Sequence, residues 1–165
     1  MTGDACCAAG IAEGETQLTE NRFLAEMDDL YAAYRQELEE AARKHKPASG
    51  LFGVGHSIKD DACHERFDEA VRKFAERAAG EAASGEALQI IRRLYTEADG
   101  NEYPLSAKWM MIAAERHILL LVPALTSADA AVLSAEYGKK YRPWNRLPAQ
   151  REVFAALKKR AKEQG

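Results

Sequence analysis

At 165 residues, with 47% apolar and 30% charged side chains, the chain has the size and mixture of one globular domain, which excludes wholesale disorder and a disulfide-dependent mini-fold. With 31 alanines and 15 leucines against 16 β-branched residues it favours helix and supplies little for a pleated surface, so the fold class is predicted to be all-α. The net charge of −3 conceals a gradient, −8 over residues 1–42, −2 over 43–137 and +7 over 138–165, and for a mildly acidic total this predicts that the two ends neutralise one another within the fold or in a dimer.

Residues 1–15 lack periodic apolar spacing and are read as a flexible N-terminal lead to a single domain over 16–165. Asp4 stands where a signal peptide needs a basic start, and no apolar run follows it. Three cysteines, two of them adjacent at Cys6 and Cys7, make no even disulfide set, so the expected compartment is the reducing cytoplasm.

The longest predicted helix spans 19–46, where Leu24, Met27, Tyr31, Tyr34, Leu38 and Ala41 recur at spacings of 3, 4, 3, 4 and 3. That seam could also receive a protein partner or a second copy of the chain. Pro47 and Gly50 end it. After a glycine-punctuated loop, Ser57 and Asp60 read as a capping box for a second helix, with Cys63, Phe67, Ala70, Phe74 and Ala78 inward. A third helix is expected over 85–98 with Leu88, Ile91, Leu94 and Tyr95 inward.

Residues 105–122 are apolar nearly all round and are predicted to form the buried central helix, with Leu120 fully packed. At 100° per residue Lys108 and Glu115 share its one polar edge, and His117 falls opposite, between Met110, Ala113 and Leu121. Glu115, Arg116 and His117 interrupt the run 109–125, so it cannot span a membrane. Thr126 and Asp129 make a capping box, Gly138 suits the position just past that helix's end, and Pro148 starts the last helix with Val153, Phe154, Leu157 and Ala161 inward.

Four groups of residues could carry chemistry. Residues 50–57, Gly-Leu-Phe-Gly-Val-Gly-His-Ser, have the spacing of a phosphate-binding loop, but His56 stands where that loop needs lysine and a helix precedes it. Gly53 and Gly55 are therefore read as turn glycines that could approach a ligand closely. His56, Asp60 and His64 follow at i, i+4 and i+8, with Cys63 between, a spacing that could gather a divalent transition metal if His117 or Cys63 completed the set. Cys63 could instead be a nucleophile, although its place on the apolar face suits an inert buried thiol. His117, Trp109 and Met110 are the candidates for a small-ligand pocket, against a plain core role. Finally, Lys139, Lys140, Tyr141, Arg142, Trp144 and Arg146 interleave bases with aromatics, as single-strand nucleic-acid binders do.

The expected architecture is a bundle of five to six helices around 105–122. The expected function is an interaction or small-ligand-binding module without catalysis. A metal- or thiol-dependent enzyme using the His56 to His64 segment is the alternative, and single-stranded nucleic-acid binding through 137–146 is a second. No cofactor is expected unless that segment holds a divalent transition metal. A membrane is excluded as partner, and nucleic acid is disfavoured because internal neutralisation would consume the basic zone.

Overall fold

Helix is the only regular structure in the computed structural model, which describes residues 21–44 and 58–163. Six rods form one all-α bundle. They are α1 (Arg22–Lys44), α2 (Ile58–Glu81), α3 (Ser84–Thr96), a composite rod, α6 (Ser127–Lys140) and α7 (Pro148–Lys162). The composite rod joins α4 (Leu105–Ala114) to α5 (Ile118–Leu121) through the 3-10 turn Glu115–His117. The expected lead over 1–15 lies outside the described residues.

Side-chain bridges fix the directions of the rods. Antiparallel α1 and α2 are tied at one end by Arg22 to Glu81 at 2.7 Å and at the other by Arg66 to Glu37, also at 2.7 Å. Helix α3 runs parallel to α1, with Asn21 Nδ2 donating to Gln89 Oε1 at 2.9 Å and Arg93 meeting Asp28 at 2.8 Å. It also runs parallel to α6, bridged by Ser84 to Asp129 at the start and Arg92 to Glu136 at 2.8 Å further along. The composite rod runs the opposite way among them, and Ile118 and Leu121 are completely buried there.

The α1 seam is occupied by the chain itself. Tyr34 stacks on Phe67 with ring centroids 4.0 Å apart, and Tyr31 and Phe23 meet Phe67 and Phe74 of α2. Met27, Tyr31 and Tyr34 are therefore not open to a second copy, a correction that follows from α2 carrying the matching aromatic face.

Other departures share a physical reason, namely that a helical wheel assumes one environment along a whole rod. Helix α2 touches both α1 and the composite rod, so its buried face takes in Val71 and Ala75 and leaves Ala70 exposed. The start of the composite rod is covered on one face only, where Ala107 and Met111 are buried, and Leu105 and Trp109 on its outer face are 71% and 55% exposed. Further along, α6 and α7 cover the edge predicted to be polar, and Glu115 is buried. Leu120, expected at the centre, is 36% exposed. Helix α6 does not stop before Gly138 but runs through it to Lys140. Gly138 serves close approach instead, since a Cβ there would lie 2.8 Å from Cε2 of Phe154 on α7.

Candidate functional site

A carboxyl group inside the bundle organises one end of α6. The hydroxyl of Tyr137 donates to Oε2 of Glu115 at 2.8 Å, and the hydroxyl of Tyr141, one helical turn on, donates to Oε1 at 2.5 Å. The i, i+4 spacing puts both phenols on one face of α6, above the 3-10 turn that carries Glu115. Burial pushes the Glu115 carboxyl up to about 7, with the two hydroxyls and nearby Lys140 opposing part of that rise. Both tyrosines are driven upward, first by burial and then by the Glu115 charge, so they remain neutral donors. Gln150, also buried, accepts from the N–H of Leu147 at 3.1 Å. Neither Glu115 nor Gln150 stood out in the sequence. The usable signal was a lone acid in an apolar run with two tyrosines four residues apart, because a buried carboxyl needs donors.

This anchor sets the chain that follows. The carbonyl of Tyr141 accepts from Nε of Arg146 at 2.7 Å, and the Arg146 guanidinium lies over the Phe154 ring at 3.8 Å. Lys140 reaches Asp99 and the carbonyl of Tyr95, both at 2.6 Å. Of the six basic and aromatic candidates, Lys140, Tyr141 and Arg146 are thus engaged within the fold. Lys139, Arg142 and Trp144 face solvent, and Trp144 is 82% exposed. It sits on a 3-10 turn, Pro143–Asn145, closed by the N–H of Asn145 donating to the carbonyl of Arg142 at 3.1 Å.

Among the described residues the charges of the two ends do not meet. Among the described residues no ion pair joins 21–42 to 138–163; Glu26, Asp28 and Glu37 are taken by Arg77, Arg93 and Arg66 of α2 and α3. Before residue 138, every arginine and lysine with a described side chain except Lys44 and Lys108 is in an ion pair within that set. From 138 on, only Lys140 and Arg160 are. Among the described residues the neutralisation expected within the fold is therefore not formed: arginines of α2 and α3 pair with the acids of α1, and most bases of α7 and its preceding turn have no acidic partner there, while the acids of residues 1–20 lie outside the described residues.

The remaining candidates are dispersed. His117 Nε2 lies 3.0 Å from Oδ1 of Asp68, which also takes Arg116, so this histidine is buried against α2, while Trp109 faces outward and Met110 is half-buried. His64 Nδ1 is hydrogen-bonded to the Tyr34 hydroxyl at 2.6 Å. Cys63 is buried at a groove of about 190 Å³ between the end of α1 and the start of α2, which Glu40, Ala41 and Arg66 also line. Gly53, Gly55 and His56 lie outside the described residues, as does the side chain of Asp60. Among the described residues no group of three or more histidine, cysteine or acidic side chains could hold a metal ion. Nor is any described helix long and apolar enough to cross a membrane.

In comparisons with protein-family models, curated proteins and solved structures, the chain matches none.

Proposed function

We propose that the chain is a cytoplasmic helical binding module whose contact surface is the α6–α7 edge, with Trp144 as anchor and an anionic macromolecule as partner. The observation that carries this reading is the 82% exposure of Trp144 on a fixed turn among bases that lack carboxylate partners in the described fold. A large ring on a turn already closed by a backbone hydrogen bond brings much contact area with only two side-chain torsions left to fix on binding, and tryptophan and arginine are enriched among the residues that dominate binding energies at contact surfaces. The surrounding charge adds long-range attraction that a total of −3 would otherwise deny.

The test is retention of the whole chain on immobilised heparin, followed by elution with salt. A chain of this net charge stays on the column only if its positive charge is concentrated. Trp144→Ala and Arg142→Ser should each elute earlier, whereas Lys44→Ser and Lys108→Ser, at bases unpaired elsewhere in the described fold, should elute with the parent. An unretained parent, or equal shifts for all four substitutions, would refute the proposed surface.

A further inference from the structure

We propose that the partner is a single-stranded nucleic acid, with one base stacked on Trp144 and its phosphates held by Arg142, Lys139 and the outer face of α7; this rests on the reading of the α6–α7 edge as the contact surface. The outer face of α7 continues the charge of the turn. At 100° per residue Arg151, Lys158 and Lys162 fall within a narrow arc, all exposed, with Lys159 beside them. They extend the positive surface by about 16 Å, the eleven-residue rise from Arg151 to Lys162, which is the reach of several nucleotides.

The surroundings of the indole favour this partner over others that carry negative charge. Protein interfaces deplete charged residues around their central anchors, whereas Trp144 is flanked by Arg142 and Pro143 on one side and by Asn145 and Arg146 on the other. Nucleic-acid interfaces are polar and strongly positive, as this one is. A bilayer would need an apolar face on α7, but Val153 and Leu157 are completely buried in the core and Leu147 is the one large apolar neighbour exposed in the turn. An open ring face stacks on an unpaired base, and a duplex offers none without disruption. Tyr141 adds no second platform, because its ring packs against Tyr137 at 4.8 Å and its hydroxyl is held by Glu115.

The experiment uses the full chain carrying Trp109→Phe, which leaves Trp144 as the sole tryptophan of two. Oligothymidylate and oligouridylate of about 12–16 nucleotides are titrated while indole emission is followed; the two arms separate DNA from RNA. A duplex, a polyglutamate peptide and phosphatidylserine vesicles form the contrasting arms. The expected result is quenching on binding a single strand, weakening as salt rises from roughly 50 to 200 mM with a log–log slope of about −0.7 per phosphate contact. Because these variants lack the reporting indole, their binding is read from the anisotropy of a fluorescein-labelled strand, where Trp144→Ala should weaken binding roughly 5- to 150-fold and Trp144→Phe should restore part of it. Arg142→Ala should reduce the salt slope by about one contact. Binding without quenching, tighter binding to duplex, or Trp144-dependent binding only to polyglutamate or to vesicles would overturn the nucleic-acid assignment. Heparin retention that still depends on Trp144 and Arg142 would then leave the surface standing and its partner misassigned.

Discussion

Tyr141 joins the core to the surface: its hydroxyl donates to Glu115 at 2.5 Å inside the bundle, while its carbonyl accepts from Arg146 in the turn that presents Trp144. One residue thus couples a buried carboxyl to the most exposed ring of the described fold.

The first prediction concerns that carboxyl. Its folded pKa is raised from 4.5 to about 7 by burial, so the native state holds the proton more tightly than the unfolded chain. Its contribution is fully present below the unfolded value and is lost as pH climbs through the folded one. Stability from urea unfolding should therefore fall between about pH 5 and pH 8, by on the order of 3 kcal/mol for this group. Glu115→Gln should lack that component, and a profile parallel to the parent's would remove Glu115 as its source.

Gly138 and Gly80 both lie inside helices, yet substituting them should have opposite effects. Alanine at Gly80 meets nothing within 4 Å and should stabilise by about 0.5–1 kcal/mol. At Gly138 the added Cβ would crowd Phe154, so alanine should destabilise by about 1–2 kcal/mol despite its better helix propensity. Thermal melts of the two variants decide the matter. A higher melting point for Gly138→Ala would show that the Phe154 ring yields freely.

Leu120 and Leu121 are adjacent and should differ sharply. Leu121→Ala should cost about 2–5 kcal/mol because its side chain is completely buried. Leu120→Ala, at a position 36% exposed, should cost about 1 kcal/mol or less. Equal losses in urea midpoints would contradict the placement of the composite rod.

Ser84 links the starts of α3 and α6. Its hydroxyl donates to Asp129 and accepts from the N–H of Thr126 at 2.7 Å, while the Thr126 hydroxyl accepts from the N–H of Asp129 at 3.2 Å. Ser84→Ala and Asp129→Ala should each cost about 1 kcal/mol. A double-mutant cycle should return a coupling of at least about 0.5 kcal/mol, and simple additivity would mean that the link contributes nothing.

Local chemistry written along the chain was legible before the fold was seen. The Thr126 cap, Pro148 at the start of α7, and Met27, Tyr31 and Tyr34 on the α1 seam depend on near neighbours and on apolar period, and each appears as expected. What escaped the sequence depends on which rod covers which stretch of another. Glu115 and Lys108 share one edge of a wheel, but only the level of Glu115 lies beneath α6 and α7. Gly138 carries the signature of a helix end, and only the proximity of Phe154 gives it a different role. The charge gradient likewise suggested two ends attracting each other, when arginines on α2 and α3 already stood beside the acids of α1.

The closeness of α6 to α7 at Gly138 also bears on the order in which the bundle assembles. Seven residues separate these helices, which form the most extensive helix pair, whereas 39 separate α1 from α3. Closing the short loop costs about 1.5 kcal/mol less in chain entropy than closing the long one. The α6–α7 hairpin is therefore the nucleus expected from contact order, with the composite rod and then α1 docking onto it. In kinetic terms, the crowding introduced by Gly138→Ala should appear chiefly as slower folding, while weakening the Asp28 to Arg93 bridge should chiefly quicken unfolding.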